Sequence, residues 1–165
     1  METEICIACG LKTEKVDGPL HKYLVSSPGC WAKFGEVLAR EYENPQYMAV
    51  HALTVDAYAL QHPGYESAQT INSANVHLAS LYCFFELGKS IGELSQVKQD
   101  LTRYKDQFLW MDPPEEASEI TVADVLESES ASEHREAVLR WSEYIYGRWE
   151  AQYPYIASLP SIEGA

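Results

Sequence analysis

Positive charge is scarce in this sequence: 12 Lys and Arg stand against 25 Asp and Glu, a formal charge of −13. No Lys/Arg cluster offers a local exception, so phosphate backbones and anionic bilayers are repelled, and neither nucleic acid nor membrane is expected as a partner. Also missing is any apolar run of about eighteen residues, the length a membrane span needs. The first residues, METEICIACG, are acidic where a signal peptide carries a basic region, which leads to the expectation of a cytoplasmic protein. Cysteine is sparse, with four in 165 residues. In a cytosolic chain such cysteines serve as ligands, nucleophiles or buried thiols sooner than as disulfides. No internal repeat and no H-x-x-x-H pair occur, which removes a solenoid and a two-histidine metal site on one helix.

What is present is enough apolar residue, 46%, for one well-buried core but not for two. Residues 1–26 have little helical periodicity and read as an irregular arm. Within it Cys6-Ile7-Ala8-Cys9-Gly10 is a C-x-x-C followed by the glycine that lets a knuckle turn tightly and point both sulfurs inward. His21 and Cys30 follow in time to complete C-x2-C-x11-H-x8-C, so four tetrahedral ligands for zinc are at hand: Cys6, Cys9, His21 and Cys30. His62 is the alternative fourth ligand if the knuckle folds over the end of the central helix. A redox role for the C-x-x-C is less well supported, because neither the preceding strand nor the following helix of thioredoxin-like motifs is evident in the sequence.

From Ser27 onward helical periodicity recurs in every segment except the loops. Ser27-Pro28 opens a first helix, placing Cys30 in its first turn and Trp31, Phe34 and Leu38 on or near one face. The stretch Gln46 to His62 reads as a central helix, nearly all apolar, with Tyr47, His51, Thr54, Tyr58 and His62 on one side. His51 and His62 are eleven residues apart, about 16 Å along the axis, so they cannot hold one ion. Asp56 falls on the opposite side and is expected to reach solvent or to pair with a donor from another helix. A third helix over Ala68 to Gly88, a fourth opened by the capping box Ser90 to Glu93, a short one starting at Thr121-Val122-Ala123-Asp124, and a last long one after the capping box at Ser130 complete the pattern. The expected fold is therefore all-α, with essentially no sheet beyond at most one short hairpin: one bundle of about five helices over residues 27–153, an N-terminal knuckle arm over 1–26, and a weakly ordered tail over 154–165. The proline-bearing acidic loop from Trp110 to Ile120 is long enough to lie across a neighbouring surface.

The segments DGPLHKY, SSPGCW, FGEVLAREY, VHALTVDAYALQHPG and TVADV resemble the running text of a bacterial protein family described only as a domain of unknown function. The resemblance covers Cys6 to about Trp149 and implies a shared fold and a bacterial origin, without an activity. A looser resemblance is to the helical bundle of thiol-dependent metalloproteins, in which histidines from separate helices bind one ion.

Two functional readings follow from the residues. In the first, the chain is a metal- or thiol-dependent enzyme with a pocket between core helices. His51, His77 and His134 then serve as ligands or proton-transfer groups, and Tyr58 orients a small molecule. In the second, it is a non-catalytic binding protein whose zinc knuckle caps the bundle and whose partner is a small molecule or protein.

Overall fold

A computed structural model describes residues 1–162, and it begins with a hairpin. Strands β1 (Thr3–Ile5) and β2 (Lys12–Glu14) pair antiparallel, with Glu4 opposite Thr13. Between them the Cys6 N–H donates to the Leu11 carbonyl at 2.8 Å and the Gly10 N–H to the Cys6 carbonyl at 2.9 Å. Gly10 takes φ +82°, a left-handed conformation that a residue with a Cβ adopts at a cost. The arm expected to be irregular is therefore partly built on regular pairing, with Cys6 and Cys9 at its tip.

Beyond the hairpin, the regular structure of the described chain is helical. Eight α-helices stand where about five were expected, because α2 was read as the start of the central helix and α8 as part of the tail, whereas the short helix expected at Thr121 is present as α6: α1 (Pro28–Glu43), α2 (Pro45–Met48), α3 (His51–Gln61), α4 (Ala68–Phe85), α5 (Leu94–Thr102), α6 (Val122–Leu126), α7 (Ala131–Arg148) and α8 (Tyr153–Ala157). Their starts follow side-chain chemistry. Ser27 caps α1 by accepting from the Cys30 N–H, with Pro28 at the first position. Ser67 and Thr70 form a reciprocal capping box at α4, and Ser130 accepts from the Glu133 N–H at α7. The expected central helix is broken at Val50, whose φ of −107° and ψ of 9° leave the helical region. Tyr47 accordingly departs from the line of His51 and Tyr58, and its ring lies 4.9 Å from that of His134.

Helix α3 packs on both α4 and α7, while α1 packs on α2 and α6, and α4 on α5 and α8. Every residue of α3 from Leu53 to Gln61 is buried except Val55, as a helix enclosed on most sides requires. Its Leu53, Ala57 and Leu60 meet a core that includes Val37, Leu78, Leu81, Val138, Trp141 and Ile145. The tail differs from expectation: Tyr153–Ala157 is helical, and Ile156, Leu159 and Ile162 are buried. Three apolar side chains at three-residue spacing gain more from burial than the chain loses by being ordered. The last three positions of the expected tail lie outside the described residues. Among the described residues no helix is long and apolar enough to cross a membrane.

Candidate functional site

Three elements converge behind the start of α1. The hairpin tip brings Cys6 and Cys9, the first turn of α1 brings Cys30, and the residue that ends α3 brings His62. All four side chains are buried, and their ligand atoms lie within 4.8 Å of one another. Cys9 Sγ is 3.8 Å from Cys30 Sγ, and Cys30 Sγ is 3.3 Å from His62 Nε2. A tetrahedral ion with metal–sulfur bonds of about 2.3 Å spaces its sulfurs about 3.8 Å apart. His62 is oriented for ligation, because its Nδ1 donates to the Tyr58 carbonyl at 2.9 Å and so turns the Nε2 lone pair toward the sulfurs. The cluster can hold a metal ion.

Electrostatics agree. Without a cation, hydrogen bonds from Cys30 and then Cys9 hold the Cys6 thiol far below its ordinary range. Cys30 is driven far up by hydrogen bonding to Cys6, by Cys9 and by burial. For Cys9 the hydrogen bond with Cys30 favours the thiolate, but hydrogen bonding to Cys6 and burial outweigh it and push the group up to about 12. One thiolate is the most that three crowded, buried thiols carry unaided. A divalent cation removes that limit.

His21, the histidine expected to complete this set, lies elsewhere. Its Nδ1 accepts the N–H groups of Tyr23 and Leu24, both at 3.1 Å, and its ring packs edge-on against Trp31. The reason is the path of the arm. The Val25 N–H donates to the His62 carbonyl, and Gly64 lies so close to the Tyr23 carbonyl that a Cβ there would stand 2.0 Å from its oxygen. This docking seats residues 21–25 against the end of α3, puts His62 at the sulfurs and turns His21 to another cavity.

That cavity, of about 260 Å³, is lined by His21, His51 and His77, by Trp31, Tyr42 and Tyr58, and by Ser73 among others. Two of its imidazoles are braced by carboxylates that are themselves fully buried. His51 Nδ1 lies 2.8 Å from Glu41 Oε1, and His77 Nδ1 lies 2.6 Å from Asp56 Oδ1. Glu41 also receives the Thr54 hydroxyl at 2.5 Å and His134 Nε2 at 2.8 Å on its other oxygen. Asp56 receives the Ser80 hydroxyl at 2.6 Å and the Lys98 ammonium at 2.5 Å. Burial by itself raises both carboxyls. Their partners reverse this and hold them below their ordinary values: His134, His51 and Thr54 for Glu41, Lys98 and His77 for Asp56. In a neutral imidazole that donates from Nδ1, Nε2 is the basic atom.

The sequence-derived set of His51, His77, His134 and Tyr58 is thus divided. His51 and His77 share the cavity. His134 is fully buried behind Glu41, its Nδ1 without a hydrogen-bond partner among the described residues. Tyr58 belongs to both places: it lines the cavity, its hydroxyl is 3.4 Å from Cys30 Sγ, and its ring stacks on His62 at 3.9 Å. Among the described residues the Cys3His set is the only group placed to share one ion, so the three imidazoles expected to converge do not. Asp56 pairs with donors from two other helices, α4 and α5, as one of its two expected fates. Glu41 was missed. Its signal was its place on the Phe34–Val37 stripe of α1, a carboxylate where the periodicity calls for an apolar residue.

A second cavity, of about 440 Å³, borders the hairpin tip, lined by Ile7, Ala8, Leu60, Trp110, Pro113, Pro114, Arg148 and Trp149 among others. The loop from Trp110 to Ile120 forms one wall. It is pinned by Arg148, which donates to Ser118 Oγ at 2.8 Å and to the Glu116 carbonyl, and by Gln61, which donates to the Ile120 carbonyl at 2.8 Å.

No curated protein and no solved structure matches the chain. Residues 4–150 match the family of unknown function DUF5946, and the chain belongs to that family.

Proposed function

We propose that this member of the family is a zinc-clamped helical enzyme in which the metal is structural and the chemistry is imidazole acid–base catalysis in the neighbouring cavity. Three thiolates and one imidazole are the donor set of closed zinc sites, and four buried protein ligands leave no position for a substrate on the metal. The zinc therefore serves to hold the hairpin and residues 21–25 against α3, which completes one wall of the cavity.

The observation that carries the enzyme reading is that two imidazoles on different helices, each fixed through Nδ1 by a fully buried carboxylate, line the same cavity. Burying a carboxylate is expensive unless it is paired, and hydrophobic side chains fill a helical core at lower cost. Two such pairs facing one space are what general acid–base chemistry requires: a fixed tautomer with Nε2 left as the basic atom, which for His51 lies 3.5 Å from the Tyr42 hydroxyl on the cavity wall. Aromatic and aliphatic side chains make up most of the remaining wall, and no Lys or Arg lines it. The substrate class is accordingly small and uncharged.

The test is hydrolysis of 4-nitrophenyl acetate by the zinc-loaded chain. His51→Gln and His77→Gln are each expected to lower the rate about 100-fold or more, the usual scale for a positioned general base. Equal rates in folded variants and in the parent would remove the reading. Elemental analysis is expected to find about one zinc per chain, lost in the Cys6→Ser, Cys9→Ser double variant. Zinc surviving in that variant would place the metal elsewhere.

The second cavity favours a non-catalytic alternative, because its walls are mainly apolar and include two tryptophans. In that reading it holds a ligand and the histidines only brace the core. Saturable quenching of Trp110 and Trp149 fluorescence by a small aromatic compound, with no effect of that compound on hydrolysis, would favour it.

A further inference from the structure

We infer that Ser73 is a nucleophile served by His77 and Asp56, so that the cavity hydrolyses small uncharged carboxylic esters or activated amides by way of an acyl-serine. The inference rests on the acid–base reading above and goes beyond it by naming the attacking atom, the bond made and the substrate class.

Ser73 and His77 are four residues apart on α4, and both line the cavity. Side chains at that spacing are neighbours on one helix face, about 5–6 Å apart at Cβ, and a helical side chain leans toward the N-terminus, which carries His77 toward Ser73. The Ser73 hydroxyl makes no hydrogen bond among the described residues, and it is not sealed off as the unpartnered hydroxyl of Ser26 is. The cavity therefore holds a free hydroxyl beside a fixed imidazole. By contrast, the hydroxyls of Thr54 and Ser80 are both spent on the buried carboxylates.

Asp56 is the positioning residue. It touches no substrate, but its bond to His77 Nδ1 sets the tautomer and leaves Nε2 as the base, and Lys98 and Ser80 hold it ionised and oriented. His21 supplies a donor for the developing charge. Its Nδ1 accepts two backbone N–H groups, so the proton of the neutral ring sits on Nε2. Burial also lowers its pKa, which keeps the ring neutral.

In the first half-reaction the Ser73 Oγ–H proton passes to His77 Nε2 as Oγ bonds to the acyl carbon, and the carbonyl π pair moves onto oxygen, which accepts from His21. Collapse breaks the bond to the leaving group, which takes the proton from His77. Water then repeats the sequence on the acyl-serine: His77 takes a proton from it, the carboxylic acid leaves, and the proton returns to Ser73 Oγ. The net change is one ester and one water converted to one acid and one alcohol.

The test treats the zinc-loaded full chain with diisopropyl fluorophosphate, which loses fluoride as serine Oγ bonds to phosphorus. Intact-mass and peptide analysis should find one phosphoryl group per chain, on the peptide carrying Ser73. Labelling should vanish in Ser73→Ala and slow at least 100-fold in His77→Gln, each verified as folded by circular dichroism and zinc content. Asp56→Asn should slow it while shifting the pH profile of the reaction, a change that a purely structural residue would not cause. If 4-nitrophenyl acetate hydrolysis depends on His77 but persists in Ser73→Ala, or if no serine is labelled, Ser73 is not the nucleophile and the imidazole activates water directly. If hydrolysis is absent in the parent chain, the acid–base reading and this inference fall together.

Discussion

Asp56 and Glu41 show how one residue commits its surroundings. Each carboxylate is fully buried and ringed by donors from other helices. Removing one member of such a set leaves the others buried without a counter-charge, so Asp56→Ala is expected to cost about 3–5 kcal/mol, measured by urea unfolding. A Lys98→Met, Asp56→Ala, His77→Leu triple variant should recover much of that loss, because it removes the carboxylate together with its two basic partners and leaves only the Ser80 hydroxyl to find another acceptor. The same carboxylates predict acid sensitivity. Their folded pKa values lie below the ordinary 4.5 and 3.8, so the unfolded chain binds more protons at low pH. The stability they contribute is fully present above those ordinary values and is lost as pH falls through them toward the folded values. Glu41→Gln should therefore be less stable than the parent near neutrality but show a flatter decline below about pH 4.5, read from urea midpoints across pH.

At the scale of elements, the joint between the arm and α3 decides where the histidines go. The joint is close: Gly64 has the Tyr23 carbonyl oxygen 2.0 Å and Thr70 Cγ2 2.7 Å from where a Cβ would stand. Backbone cannot step aside as a side chain can. Gly64→Ala is expected to cost about 1–3 kcal/mol. In the metal-loaded chain it should also speed release of the metal to a chelator, because lifting residues 21–25 loosens the backbone bond from Val25 to His62. Unchanged release kinetics would mean that the joint and the metal site are independent. Much of the helical layout was readable beforehand from capping serines, Pro28 and three- and four-residue spacing. The break at Val50 was not, since Gln46 to His62 keeps its apolar character across it and the departure is a change of backbone angle. Nor was the pairing of strands β1 and β2, each three residues long and too short to show alternation.

For the whole molecule the Cys3His cluster is the link between arm and bundle, and a metal bound there would close it. The core of α1, α3, α4 and α7 has its own apolar packing, whereas the hairpin exposes Ile5 and Ile7 and keeps Cys6 and Cys9 inside. Binding energy at such a centre is folding energy for the segment it closes. Stripping the metal with a chelator is expected to leave most helical circular dichroism intact. Proteases should then cut within residues 1–26, and ester hydrolysis should fall because His21 and the adjoining wall are released. A cooperative loss of all helical signal would show instead that the bundle depends on the metal.

What the sequence determined by itself is local: a mainly helical chain, most helix starts, three of the four members of the Cys3His cluster, and the histidines that required explanation. These follow from spacing along one element, where the backbone fixes geometry within a few residues. The choice of His62 over His21 was of another kind, as were the bracing of His51 by Glu41 and of His77 by Asp56, the separation of His134 from the cavity, and the burial of Ile156 to Ile162. Each depends on which helix faces which and on how residues 10–26 fold back over the end of α3. Contacts between residues distant in sequence are set by the packing of whole faces, and ligand spacing along the chain carries no record of that packing.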